Sequence, residues 1–243
     1  MKLKELIKKL LSAIYLEDFA KDTKTKALNV VRKLVRTDQR IIKDYFSNTQ
    51  IRKLHVGCGG NILAGWLNSD YLPISSRILR FDATKTFPFT NDEFDYVFSE
   101  HMIEHIDYQQ GLQMLSECFR VLKPKGKLRI STPDLSFLID LYKSDKSEIQ
   151  MEFAKHYIDN YVKYAPCYED TFVINNYMRA WDHKFIYDEK VLYDSLRRVG
   201  FINITKFNVC ESQDEVLQGL ENISRKPAGL IGLESLVVEG MKP

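Results

Sequence analysis

Hydrophobic positions change their period near residue 50. Before that point they recur at helical spacing: Leu3, Leu6, Ile7, Leu10, Leu11 and Ile14 share one face, while Lys2, Lys4, Lys8 and Lys9 fall mostly on the other. A second helical stretch, residues 25–45, carries Leu28, Val31, Leu34, Val35, Ile41 and Ile42. Residues 1–50 therefore read as a helical N-terminal extension, followed by a second unit over residues 51–243. From Lys53 short apolar runs take over, at residues 53–56, 66–70, 77–82 and 94–99. An amphipathic helix with Leu112, Leu115, Phe119 and Leu122 on one face is stopped by Pro124 and Gly126, and a fifth strand spans residues 127–132. Strands alternating with helices predict a parallel sheet. Residues 189–199 predict a further helix, turning at Gly200-Phe201 into a strand near 202–209, with a last strand at 234–238.

The 243 residues are 44% hydrophobic and 28% charged, enough to bury one sizeable core. No apolar run approaches the roughly 20 residues that cross a bilayer, and the first residues lack the uninterrupted apolar core of a secretory signal, so a cytoplasmic location is expected. The four cysteines, Cys58, Cys118, Cys167 and Cys210, form no CxxC pair, which argues against both a disulfide framework and a zinc ribbon. The net charge of +2 hides an asymmetry: residues 1–53 hold 14 Lys+Arg against 6 Asp+Glu, and the remainder 21 against 27. The basic front helix suits either packing on a neighbour with its lysines solvated or, through residues 1–20, a peripheral contact with an anionic membrane face. An acidic body without a basic stripe argues against a nucleic-acid partner.

Candidate chemistry begins at Gly57-Cys58-Gly59-Gly60-Asn61, where glycines let the backbone turn sharply and approach a ligand. A dinucleotide fingerprint would require glycine at 62, where Ile62 stands. Asp70 and Asp82 each end a strand, and in an open parallel sheet such tip acids can receive ribose hydroxyls and an adenine amine; each is equally an ordinary turn residue. The segment His101-Met-Ile-Glu-His105 matches the spacing of an inverted zinc-peptidase motif, but no third ligand is evident in the sequence, so no metal is expected.

The succession LHVGCGGN, Asp70, Asp82, FPFTNDEFDYVFSEHMIEHI and FRVLKPKGKLRISTPD resembles the motifs of class I S-adenosylmethionine-dependent methyltransferases, small-molecule branch, type 11-like, over residues 52–243. The resemblance implies a Rossmann-like α/β fold: a seven-stranded, mostly parallel sheet with helices on both faces and the last strand antiparallel. It implies S-adenosyl-L-methionine as cofactor, with Gly57 and Gly59 near its amino-acid moiety, Asp70 on the ribose and Asp82 with Ala83 at the adenine. His55, Cys58, Tyr71 and Ser99 complete the expected cofactor-binding set, although the family often has an acid at the position of His55 and glycine at Asn61. The compact spacing from Gly57 to Asp70 leaves room for only a very short helix or none.

For the acceptor, the resemblance points to O-methylation of a hydroxylated small molecule such as a sugar or glycan intermediate. An insertion over residues 135–180, rich in aromatics including Tyr157, Tyr161 and Tyr177, can stack on ring faces or serve helical packing. His183, in Trp181-Asp-His-Lys-Phe185, is the first candidate for a base, with His105 and His101 as rivals; each is also an ordinary loop-tying histidine. Two other classes remain: a non-catalytic S-adenosylmethionine-binding protein, and a zinc-dependent hydrolase using HMIEH.

Overall fold

The computed structural model describes residues 32, 36–227 and 229–243. Its sheet contains β1 (Lys53–Val56), β2 (Leu67–Asp70), β3 (Leu79–Arg80), β4 (Phe94–Glu100), β5 (Leu122–Pro133), β6 (Ile202–Phe207) and β7 (Ser235–Met241), in the order β3-β2-β1-β4-β5-β7-β6. Pairing is parallel from β3 across to β5, and β7 enters antiparallel to both β5 and β6. This is the Rossmann-like α/β sheet expected from the sequence. Because the chain runs β1-β2-β3 outward and then crosses back to β4, β1 and β4 flank the topological switch point, where such sheets open a crevice.

Around the sheet lie α1 (Thr37–Asn48), α2 (Tyr108–Val121), α3 (Leu135–Leu141), α4 (Glu148–Tyr161), α5 (Asp170–Arg179), α6 (Glu189–Val199) and α7 (Leu230–Glu234). Helix α2 starts at a capping box, in which Asp107 accepts from the Gln110 amide and the Gln110 side chain accepts from Asp107, and it buries Met114, Leu115, Cys118 and Val121. Helix α6 is capped by Asp188 and ends at Gly200, whose φ of 115° suits a left-handed C-cap. Both bury their apolar faces in the main core with Leu54, Val56, Leu67, Val97, Leu128 and Ile130 of the strands.

Several boundaries differ from the sequence reading. The described part of the second N-terminal helix is α1, running on to Asn48, and the amphipathic stripe of residues 3–14 lies outside the described residues. Strand β5 begins at Leu122, because Lys125 N donates to the Lys242 carbonyl and Lys242 N to Gly126, which extends the ladder past Pro124. Strand β3 is only two residues long, and Asp82 turns the chain soon after it by accepting from Thr84 N and Thr84 Oγ1. No described helix separates β1 from β2, and no described helix is long and apolar enough to cross a membrane.

The sheet face opposite α2 and α6 carries a row that crosses five strands in register, polar at Asn68, His55, Arg129 and Glu239 and apolar at Phe98 between them. Residues 208–225 cover it. Arg129, fully buried, donates to Glu221 at 2.7 Å, to Glu239 at 2.6 Å and to the Glu211 carbonyl at 2.8 Å, which clamps that cover to the sheet. Trp66, Phe98, Leu217 and Leu220 form a small apolar cluster beside it. The insertion folds as α3, α4 and α5 around a separate core that includes Phe137, Phe153, Tyr157, Val173 and Tyr177, joined by Ile186 and Leu230 from outside it.

His55 is fully buried in the polar row. Burial pushes its imidazole down to about 4, against the hydrogen bond with Asn68 and the Asp70 charge. The unfolded chain, with an ordinary value near 6.5, therefore binds a proton that the folded one refuses. The resulting stability is complete above about pH 6.5 and is lost as pH falls toward 4, up to about 3 kcal/mol. Urea unfolding between pH 7 and 4.5 should accordingly be less steeply pH-dependent in His55→Asn than in the native chain; equal slopes would contradict this account.

Candidate active site

Strand β1 delivers Val56 to the crevice and turns at Gly57, with φ of 70°. A Cβ at Gly57 would lie 2.4 Å from Met102 Cγ, so backbone conformation and the close approach of Met102 both require glycine here. The turn is held by β2: Cys58 N donates to the Ser69 carbonyl and Gly59 N donates to Asp70 Oδ2, each at 2.9 Å. The other oxygen of Asp70 accepts from Leu72 N at 2.8 Å. One carboxylate thus fixes the glycine bend and the start of the next loop.

A cavity of about 350 Å³ opens over these strand tips, lined by Gly57, Asp70, Tyr71, Asp82, Ala83 and His105 with apolar walls from Phe81, Met102 and Ile106. Asp70, Asp82 and Gly57 share this single crevice. Cys58 and Gly59 belong to the same turn but do not line it; the buried Cys58 thiol is pushed up to about 12 by burial and then by Asp70, so it stays protonated. His55 and Ser99 are not brought to the crevice surface. Alternation along β1 sends Val56 toward the cavity and His55 to the opposite face, where its ring lies 4.9 Å from Phe98. Ser99 lies 1% exposed inside the sheet, its hydroxyl without a hydrogen-bond partner.

A second cavity of about 330 Å³ adjoins the first through the shared residue His105. His101, Glu104, His183, Tyr161, Tyr177, Trp181, Arg225, Lys226 and Glu234 line it. Strand β4 ends in Glu100, and the chain leaves it through His101 at φ 46°, entering the 3-10 turn Ile103–His105 rather than an α-helix. The two histidines of HMIEH therefore do not sit on one α-helical face. Glu104 is fully buried; its Oε2 accepts from Thr132 Oγ1 at 3.1 Å, and its backbone carbonyl accepts from Lys184 N at 2.7 Å and Phe185 N at 3.2 Å. Those backbone bonds dock the 183–185 segment, which places the His183 and His105 rings 4.9 Å apart, edge to face.

His183 Nδ1 lies 2.6 Å from the Tyr177 carbonyl, so Nδ1 carries the proton and Nε2 presents a free lone pair. Burial pushes this imidazole down to about 4, with the His105 and His101 charges adding to the effect and Glu104 and Asp182 opposing it. Burial alone would raise Glu104, but the neighbouring His101 and the His105 charge bring its carboxyl below the ordinary value. Arg225 pairs with Glu100 at 2.6 Å. Lys226 pairs with Glu234, lies 3.2 Å from the Tyr177 hydroxyl, and sits among the rings of Phe153, Tyr157, Tyr161 and Tyr177 at 5.3–5.9 Å. Burial, with the neighbouring Arg225 charge adding to it, lowers the Lys226 ammonium to about 7, and burial likewise raises the Glu234 carboxyl well above its ordinary value.

Residues 68–130 match a family model described as a methyltransferase domain, a span that runs from β2 into β5 and contains Asp70, Asp82 and the HMIEH turn. The chain carries a SAM-dependent methyltransferase domain. No curated protein matches the sequence. Among solved structures, a SAM-dependent methyltransferase from Archaeoglobus fulgidus is similar at 18% identity and a TM-score of 0.46, over 87% of this chain and 94% of that one. Phosphoethanolamine N-methyltransferase 2 of Haemonchus contortus, solved with S-adenosyl-L-methionine, is similar at 17% identity and a TM-score of 0.46, over 86% of this chain; the chain spans 52% of that protein's length.

S-adenosylmethionine is the cofactor of this methyltransferase, and the first crevice fits it. Its volume lies within the range of small-ligand pockets, about 300–1,000 Å³, its floor is backbone at Gly57, its walls are apolar, and two carboxylates stand at its rim. Sequence reasoning missed Arg225, Lys226 and Glu234. Nothing local distinguishes Ser-Arg-Lys-Pro at 224–227 from a solvated loop; only the long β6–β7 connection carries it into the cavity.

The glycine turn makes a paired prediction. Gly57→Ala should weaken binding of S-adenosylhomocysteine at least about tenfold and cost about 1–2 kcal/mol of stability through the left-handed backbone alone. Gly60→Ala, whose Cβ would meet nothing within 4 Å, should leave both unchanged. Calorimetric titration of the two variants checks this, and equal affinities would remove Gly57 from the site.

Proposed function

We propose that this methyltransferase O-methylates a hydroxylated small molecule, a sugar or glycan intermediate, held in the second cavity. The observation that carries the reading is the junction of the two cavities at His105, beside the free Nε2 of His183 and the rings of Tyr161, Tyr177 and Trp181. Rings with polar edges suit a sugar face. Asp70 is read as the acceptor of the ribose hydroxyls, Asp82 with Ala83 as the adenine contact, and the Gly57 backbone as neighbour of the amino-acid moiety. The bound cofactor supplies a methyl group already activated on a sulfonium. The chain's own task is alignment in a water-poor pocket: Met102 and Ile106 exclude water, and the α3–α5 insertion walls the acceptor side. An acceptor hydroxyl loses its proton as the new bond forms, and His183 Nε2, neutral at pH 7, is the group proposed to take it.

Asp70→Ala should lose hydrogen bonds to a charged group, about 1.5–3 kcal/mol, and so weaken cofactor binding roughly 10- to 150-fold. A change below about twofold in calorimetry would exclude Asp70. Methyl transfer from labelled cofactor, assayed across sugars, nucleotide sugars, phenols and amines, should be found with a hydroxylated acceptor; transfer to amines alone would overturn the O-methylation reading.

Residues 1–50 are proposed as an extension distinct from the methyltransferase unit of 51–243, with residues 1–20 resting on an anionic membrane face where a lipid-linked acceptor would lie. Full-length protein should co-sediment with phosphatidylglycerol vesicles and a chain lacking residues 1–20 should not. Equal sedimentation of the two would end that part of the reading.

A further inference from the structure

We infer that Glu104, His105 and His183 form a binding site for a divalent cation of the zinc type, open toward the second cavity. Each residue offers one ligand atom, and the three atoms lie within 4.8 Å of one another. A cation bonded at about 2.0–2.2 Å would draw such ligands to roughly 3.4 Å apart, a contraction of about an ångström or less per atom. Two imidazoles and one carboxylate select a borderline transition cation over magnesium or calcium, which take oxygen ligands.

Charge balance points the same way. Among the described residues seven acidic side chains are buried, and Glu100, Glu117, Asp170, Glu221, Glu234 and Glu239 each make a salt bridge to a lysine or arginine. Glu104, the most deeply buried of them, has none. Its Oε2 takes the Thr132 hydroxyl, and its Oε1 stands 3.2 Å from His101 Nδ1, an ion pair only when that imidazole is protonated. A buried carboxylate whose only neighbouring counter-charges are histidines that must first take up a proton is costly, and a divalent cation supplies a permanent one. The arginine and lysine of the cavity are paired elsewhere, Arg225 with Glu100 and Lys226 with Glu234.

The surroundings also hold the ligands as a cation requires. His183 donates Nδ1–H to the Tyr177 carbonyl, the outer bond that fixes the tautomer of a metal-binding histidine and leaves Nε2 to the ion. Glu104 itself docks the 183–185 backbone through its carbonyl, so one ligand residue positions the segment that bears another. Protein ligands on three sides leave positions open toward the cavity. The inference uses the same cavity as the proposed function and changes one role in it: with the cation bound, His183 Nε2 is a ligand and not a proton acceptor.

The test uses the full chain stripped with chelator, titrated with Zn2+ by calorimetry and with Co2+ by visible absorption, with S-adenosylhomocysteine titrated into the same samples. One Zn2+ per chain with a Kd of micromolar or below is expected, together with the visible bands of a four- or five-coordinate Co2+. His105→Ala and His183→Ala should each weaken Zn2+ at least about tenfold while S-adenosylhomocysteine still binds His183→Ala, which also reports that this variant folds. No stoichiometric Zn2+ binding, or undiminished binding in the double variant, overturns the inference. Zn2+ bound without S-adenosylhomocysteine binding would sink the methyltransferase reading and leave the cation site standing.

Discussion

Strands β1 and β4 pair in parallel with Val56 opposite Ser99, so they end at nearly the same level. The chain leaves one through Gly57 and the other through His101, both with positive φ. Two left-handed exits side by side at the switch point turn the backbone away from the sheet and open the crevice between them. The first accommodates its conformation by lacking a side chain; the second keeps a side chain in a strained region, as residues at functional sites often do. Asp70, bonded to Gly59 N, stands at the first exit, and Met102 and the HMIEH turn follow the second.

With no described helix between β1 and β2, the sheet face that carries His55 would lie bare. Residues 208–225 cover it instead, anchored by the buried Arg129 between Glu221 and Glu239. A buried ion triad of this kind specifies one docking of the cover more than it adds net stability. The same cover ties the cavities together: Glu100 accepts from Asn61 Nδ2 beside the glycine turn at 2.9 Å, and from Asn222 N and Arg225 at the rim of the second cavity. A displacement of the glycine turn is therefore felt by the loop that carries Lys226.

The second cavity gathers titratable groups whose protonation burial has shifted. Lys226 is enclosed by rings and by Glu234, His183 is held neutral by burial, and Glu104 lies between histidines with no salt bridge to a lysine or arginine among the described residues. Groups with shifted protonation that line one cleft mark it as a candidate functional site.

Local pattern in the sequence was sufficient for the order of strands, the glycine bend and Asp70 at the end of β2, because a strand's end and a turn's φ are set by neighbours a few residues away; Asp82 instead stands in the turn after the two-residue β3. Helix α6 has the bounds read from the sequence, residues 189–199, and the expected turn at Gly200; its Asp188 cap is seen only in the structure. Tertiary structure alone decided which face each alternating side chain takes: His55 and Val56 are adjacent, and only the packing of α2 and α6 on one side assigns Val56 to the crevice and His55 to the polar row. It also decided the contents of the second cavity. Glu104 meets Thr132, His183 and the 184–185 backbone across long stretches of chain, and Arg225 and Lys226 arrive from the β6–β7 connection, contacts that no local periodicity encodes. His183, which stands beside the HMIEH turn, follows the insertion in sequence and is brought there by two backbone hydrogen bonds to Glu104, so no local spacing announces it.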